Sequence, residues 1–255
     1  MKLYKFRSLR DLIGGESVDL NRTLEILRTE QLYCAPHNKL NDPFEGLFST
    51  VETIGGAYGS GAVTPTIKLS KWKMPKINLE FSQLMTSYKG STTEIRHTSL
   101  GELSSSNKNQ NVCSLSSSMS DVRMWSHYAD SHMGCVIEID LEEDELDLYK
   151  VIYGKDINRY SKTKFEEINI FDVLTFKTCH WEYEKEFRII TGKKHFSISG
   201  CISGVHLGIR TPDEVRDDIV GEFSNRYPIM QSQINRETVE IQRGACLGKY
   251  KGDYA

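Results

Sequence analysis

An α+β fold, with a mixed and mostly antiparallel central sheet and flanking helices, is what this sequence predicts, on three observations. Its strand-like segments are short and alternate apolar with polar residues, as strands with one wet face do. Its helix-like segments are few and do not alternate regularly with strands, as a parallel βαβ chain would require. Its 255 residues can enclose one sizeable core, so residues 1–255 read as a single domain. Residues 53–111 read as an insertion or mobile cover within that domain.

The first strand is Leu3 to Arg7, LYKFR, with Lys5 and Arg7 on one face and Tyr4 and Phe6 on the other. Leu20 to Glu30 is amphipathic at helical spacing, burying Leu20, Leu24 and Leu27. Gln31 to Pro36 reads as a strand and LNDPFEG as a turn, because Pro43 fixes its own backbone and drives Asp42 out of helical geometry. Asp42 and Glu45 serve either to cap that turn or to bind a cation or ribose hydroxyl. In 53–111, a glycine-rich run and a polar run flank one amphipathic segment, a helix expected around Ile77 to Tyr88.

Cys113 to Asp140 organises the rest of the chain: a strand Val112 to Leu115, a helix about Asp121 to His132, and a strand Cys135 to Asp140. Ser118 or Ser120 is the expected N-cap, Asp121 adds charge to the positive end of the helix, and Gly134 is placed to close it in a left-handed turn. Trp125, Tyr128, Ala129 and His132 share one helical face, with His127 on another flank beside Arg123 and Asp130. Aromatics at this spacing ordinarily anchor a core, and they also suit ligand stacking.

Beyond an acidic run, Val151 to Tyr153 reads as a strand and Lys162 to Phe176 as a helix. In Lys177 to Ile190, read as a strand, Glu182, Glu184, Glu186 and Arg188 share one face. Three carboxylates there repel each other unless cations or ligand groups answer them, and Arg188 answers one. Cys201 to Gly208 is a strand. Thr211, Pro212 and two acids open a helix to about Arg226, and Glu237 to Gln242 returns as a final strand before a frayed tail.

A net charge of −3 argues against broad electrostatic capture of nucleic acid, while leaving room for a local basic groove. The start lacks the apolar run of a signal peptide and no stretch approaches a membrane span, so a cytoplasmic protein without a membrane partner is expected. Six scattered cysteines, mostly beside apolar residues, read as buried free thiols rather than a zinc or disulfide framework. No phosphate-loop, GxSxG or HExxH pattern occurs, His127 and His132 are poorly spaced for joint ligation, and no metal site is expected.

LYKFRS at the start, LNDPFEG after the first helix, and MWSHYADSHMG followed by WEYEKEFR together resemble a widespread bacterial family of uncharacterised domains. A more distant resemblance, to ADP-ribosyltransferases, carries chemistry. In that family a first strand with His or Arg grips the adenosine side of NAD. A strand and helix then bring an aromatic to nicotinamide, and a later strand carries a glutamate, often as Glu-x-Glu. This sequence is similar in order: Lys5 or Arg7, then CSLSS and the helix with Tyr128, then Glu184-Lys185-Glu186. It departs in having CSLSS for a Ser-Thr-Ser triplet and two cations in LYKFR with no unambiguous register.

The resemblance implies an ADP-ribosyltransferase-like fold and an enzyme using NAD as substrate, with Glu186 catalytic and Glu184 orienting the acceptor. Tyr128, or Trp125, would stack on nicotinamide. Lys5 and Arg7 would hold phosphates or ribose, Ser114 and Ser116 would support them, and His127, Asp42 and Arg188 are further binding candidates. The chemistry is coherent: cleaving the nicotinamide bond builds oxocarbenium charge that a carboxylate stabilises, nicotinamide is a flat cation, and diphosphate suits Arg or Lys. The partner would be a macromolecular acceptor, protein or nucleic acid, and such bacterial proteins look like toxins or antiviral effectors. NAD glycohydrolysis at the same site, or a non-catalytic sensor module that binds a nucleotide or partner, are the alternatives. A metal-dependent nuclease using Asp42, Glu45, Glu184 and Glu186 fits the charge balance less well.

Overall fold

The computed structural model describes residues 1–10, 18–40, 42, 47–54, 92–99, 110–142, 148–155, 159–161 and 170–248. The chain begins with β1 (Lys2–Arg7), α1 (Val18–Thr29), β2 (Gln31–Tyr33) and β3 (Ala35–Pro36), then β4 (Leu47–Ile54) and β5 (Thr92–Ser99). Next come β6 (Asn111–Ser116), α2 (Val122–Tyr128), β7 (Cys135–Asp140), β8 (Leu148–Lys150), β9 (Ile152–Gly154), β10 (Arg159–Ser161) and α3 (Ile170–Leu174). After β11 (Phe176–Thr178) a 3-10 helix, Cys179–Glu184, leads into β12 (Glu186–Thr191), β13 (His195–Ser197), β14 (Ile202–Leu207), α4 (Asp213–Phe223), β15 (Ile229–Asn235) and β16 (Glu240–Leu247). None of the described helices is long and apolar enough to cross a membrane.

The fold is α+β with a large, mostly antiparallel sheet. Nine strands form it in the order β16-β15-β14-β7-β1-β6-β12-β8, with β3 beside β6, and β14–β15 is its parallel pair. β1 zips to β7 along its whole length, from Lys2↔Asp140 to Arg7↔Cys135. β6 zips as fully to β12, from Ser116↔Glu186 to Asn111↔Thr191. Between these two halves β1 and β6 register at one pair, Tyr4↔Ser116, and β3 takes the far end of that edge through Ala35↔Val112. The sheet is therefore split, and the split makes the cleft described below.

Alternation along the strands sorts the two faces. Leu3, Leu115, Ile137, Ile139, Phe187, Ile189 and Val205 pack with Ile26 and Leu27 of α1 and Ile219 and Phe223 of α4 in the main core. On the other face Phe6 and Val136 pack with Met124, Trp125 and Ala129 of α2. Val112 and Ile190 on that same face pack with Ile170, Val173 and Leu174 of α3. Ser114, Ser116, Glu186 and Arg188 share that face and form a polar island between its apolar clusters.

Several local expectations change. Asp121, not Ser118 or Ser120, caps α2, accepting from the Arg123 amide at 2.9 Å. α2 ends at Tyr128, short of His132, and the left-handed residues after it are Asp130, Ser131 and His132. Gly134 serves close approach instead: a Cβ there would lie 2.2 Å from the Arg7 carbonyl oxygen. Thr211 does not cap α4, because Pro212 stands at the cap and the Thr211 hydroxyl reaches the Met133 and Gly134 carbonyls. The stretch 177–190 is not one strand but β11, the 3-10 helix and β12. β15 escaped the sequence reading altogether. Of the six free cysteines three are buried, Cys34, Cys113 and Cys135, fewer than the apolar flanks suggested. The expected helix at 77–88, most of 162–176 and the tail lie outside the described residues.

Glu138 of β7 is a buried node of the half-sheet that contains β1, β7 and β14. It accepts from Lys2 at 3.0 Å, Ser203 at 2.9 Å and Arg243 at 2.9 Å, and its other hydrogen-bond contact is His206 Nε2 at 2.9 Å. Burial alone would raise its pKa, but the bonds from His206, Lys2 and Ser203 outweigh that and hold it well below the usual carboxylate range. A depressed acid contributes stability above its unfolded pKa, near 4.5, and loses it as pH falls toward the folded value. Glu138→Gln is thus expected to unfold at lower urea than the parent at pH 7, with the gap narrowing below about pH 4.5. A gap that stays constant down to pH 3 contradicts this account.

Candidate functional site

The split in the sheet opens into a cleft of about 870 Å³. Tyr4, Lys5, Phe6 and Arg7 of β1 line it on one side, and Ser114, Leu115 and Ser116 of β6 with Glu186 and Arg188 of β12 on the other. Tyr128 of α2, Lys177 of β11 and Glu184 reach in at one end, while Arg22, Glu25, Tyr33, Lys39 and His195 surround the other.

The first end is a chain of charge. The Tyr128 hydroxyl donates to Glu184 Oε1 at 2.5 Å, and Lys177 Nζ donates to Glu184 Oε2 at 2.5 Å. Lys177 also lies 3.1 Å from Glu186 Oε2. Arg188 grips Glu186 with both arms of its fork, Nε to Oε1 at 2.8 Å and Nη2 to Oε2 at 3.0 Å. Asp42, itself buried, adds its charge to the surroundings of Arg188. All four members of the Glu184–Lys177–Glu186–Arg188 set are at most 7% exposed. Two carboxylates and two cations leave no net charge among these four, which is the condition under which such groups tolerate burial.

Local backbone geometry brings the two glutamates to one place. Glu184 ends the 3-10 helix, Lys185 takes a left-handed conformation at φ 46°, and Glu186 then starts β12. The Ser116 hydroxyl fixes this corner by donating to the Glu184 carbonyl at 2.6 Å, and the Glu186 amide donates to the Tyr153 hydroxyl at 2.9 Å. The strand alternation expected for 182–188 is replaced by this turn, and Glu182 points out to solvent. The face of three carboxylates therefore reduces to two, answered by Lys177 and Arg188.

Protonation follows from burial and neighbours. Burial pushes Glu186 up to about 7, with Lys177 pulling the other way and Glu184 adding to the rise. Burial lowers Arg188 to about 9 against the pull of Asp42, so it stays cationic at neutral pH. Burial would lower Lys177, but the charges of Glu186 and Glu184 outweigh it and keep the ammonium charged. Burial and the Glu184 bond raise Tyr128, leaving a neutral phenol donor. An ionised carboxylate offers roughly four lone-pair directions. Glu186 spends its own on Arg188, Lys177 and Ser114, whereas Glu184 accepts from Tyr128 and Lys177 and retains capacity for a ligand hydroxyl.

Of the residues singled out from sequence, Lys5, Arg7, Ser114, Ser116, Tyr128, Glu184, Glu186 and Arg188 line the cleft. Lys5 and Arg7 do so from the sheet face opposite Glu186, entering through the split. Lys5 Nζ spans the gap to the Ser114 carbonyl at 2.9 Å, and Arg7 Nε donates to Thr23 of α1 at 3.2 Å. Trp125 is fully buried against Phe6 and His132 and offers no ring face to a ligand. His127 is exposed outside the cleft beside Tyr128 and Tyr183, and Asp42 is buried, does not line the cleft and acts on Arg188 through its charge. Lys177 escaped the sequence reading. Its signal was indirect, a surplus of acids that needed a second cation. Comparisons with family models, curated proteins and solved structures find no match to this chain.

Proposed function

We propose that this cleft breaks the nicotinamide–ribose bond of NAD and transfers ADP-ribose to a macromolecular acceptor. The observation that carries the reading is the Tyr128–Glu184 hydrogen bond at 2.5 Å beside Glu186, which joins the aromatic of α2 to the Glu-x-Glu carboxylates. Further support is positional: the three segments similar to ADP-ribosyltransferases lie on the neighbouring strands β1, β6 and β12, so the family's fold is part of the proposal. In this reading Tyr128 presents its ring to nicotinamide while its hydroxyl is tied down. Glu184 accepts from a ribose or acceptor hydroxyl, and Glu186, held by Arg188, opposes the oxocarbenium charge. Lys5 and Arg7, on the β1 wall of the cleft, receive the diphosphate.

Glu184→Gln is the clean test. It keeps the shape, and Lys177 keeps Glu186 as its partner. Nicotinamide release is expected to fall by about a hundredfold to a thousandfold with the melting temperature little changed. Label from NAD appearing on a macromolecule supports transfer, and free ADP-ribose supports hydrolysis at the same site. Undiminished NAD cleavage by both Glu184→Gln and Glu186→Gln overturns the assignment. A second reading, a nucleotide-binding module without chemistry, is favoured by the full pairing of Glu186 with Arg188 and Lys177. Intact NAD in the same assay is its signature.

A further inference from the structure

The far end of the cleft has a composition that NAD cleavage does not require. Tyr33 is 52% exposed and is the one aromatic among the large exposed hydrophobics of the described residues. The β2–β13 register sets it opposite His195, with ring centroids 5.7 Å apart at 64°. Arg22 and Lys39 line the same opening. Lys193 and Lys194, both exposed, form the turn into His195, and the Lys194 carbonyl accepts from the Cys34 amide at 2.8 Å, which seats that turn against Tyr33. Several exposed arginines elsewhere pair with acids, as Arg28 does with Glu222, Arg123 with Asp121 and Arg216 with Asp213, while among the described residues Arg210 and Arg236 stand alone rather than in a cluster. Among the described residues none of Arg22, Lys39, Lys193 and Lys194 has a carboxylate within ion-pair distance, and Glu25 is the one acid lining this end.

We propose that this rim docks single-stranded nucleic acid, which makes a polynucleotide the acceptor for the cleft. An exposed ring held edge-on to a second ring, with unpaired cations on both sides, matches a chain of flat bases on a phosphodiester backbone. A duplex keeps its bases stacked on one another and offers none to Tyr33. The chain's net charge of −3 gives no general attraction for polyanions, so binding depends on this local set. The acceptor role rests on the NAD reading above, while the docking stands without it. In the transfer the C1′–nitrogen bond breaks and nicotinamide leaves neutral with the bonding pair. A base nitrogen or an oxygen of the strand bonds to C1′ and releases its proton to solvent.

The test is fluorescence anisotropy with labelled mixed-sequence oligonucleotides of about 12 nucleotides, as single-stranded DNA, single-stranded RNA and duplex DNA, without NAD. Single strands are expected to bind more tightly than duplex, with a log–log salt slope of about −3 for four neutralised phosphates. Tyr33→Ala is expected to weaken binding roughly tenfold or more, with Tyr33→Phe restoring it. Lys193→Gln with Lys194→Gln is expected to flatten the salt slope by more than one. Equal binding of duplex, indifference to Tyr33→Ala, or no binding overturns the proposal. ADP-ribose label that protease removes from extract and nuclease does not overturns the acceptor role. Strand binding without NAD cleavage upholds the dock and removes the enzymatic reading; NAD cleavage without strand binding does the reverse.

Discussion

Arg188→Leu is expected to destabilise the fold by about 3–5 kcal/mol, because it strips the bidentate partner from a buried carboxylate and leaves Glu186 to share Lys177 with Glu184. Arg188 is fully buried, holds Glu186 through two bonds, donates also to the Leu174 carbonyl and feels Asp42. Removing both members behaves differently. Arg188→Leu with Glu186→Leu exchanges a desolvated ion pair for apolar packing beside Ile190 and Leu174, and most of the loss should return. Urea midpoints of parent, single and double variants at pH 7 check this, and a single variant no less stable than the double refutes it. The same logic explains why Glu186→Gln is a poor first probe of catalysis. A neutral amide cannot accept from both arms of Arg188, so lost activity and lost stability would arrive together.

Trp125→Ala is expected to cost about 3–5 kcal/mol and to disturb the cleft without touching a ligand. The indole is fully buried, meets Phe6 edge-on with centroids 5.6 Å apart at 80°, and donates from Nε1 to the Met119 carbonyl at 2.6 Å. α2 has seven residues, too few to hold a helix by its own hydrogen bonds, so this anchor fixes it. Tyr128 sits one turn further on and depends on the same anchor. The expected signature is a lower urea midpoint together with weaker NAD binding, partly restored in Trp125→Phe. A variant that loses NAD binding at unchanged stability would instead make Trp125 a ligand-stacking residue.

How much was legible in the sequence depended on the range of the forces involved. LYKFR announced its two faces because alternation is local, and both faces are used as read. The aromatic stripe of α2 was legible as a stripe, but whether Trp125 or Tyr128 would meet the cleft was decided by Phe6, some 120 residues earlier in the chain. The pairing of Glu184 with Glu186 was visible, while the left-handed Lys185 that produces it was not, since a lysine is an unusual choice there. Lys177 was hidden because it stood at the boundary between the expected helix ending at Phe176 and the expected strand to Ile190, and its meaning comes only from the acids that fold over it. The split itself had no signature at all. It arises from a competition between β1 and β3 for one edge of β6, and each alone looks like a normal partner.

Lys5 bridges that seam in place of a strand neighbour, giving the Ser114 carbonyl a proton donor that a ladder would otherwise supply. The same ammonium is what an incoming phosphate would attract. Any anion that draws it away leaves a bare peptide oxygen in the wall, ready to receive a hydroxyl or amine from the newcomer. Occupancy and the closing of the seam thus compete for one cation, and filling the cleft loosens the joint that shapes it.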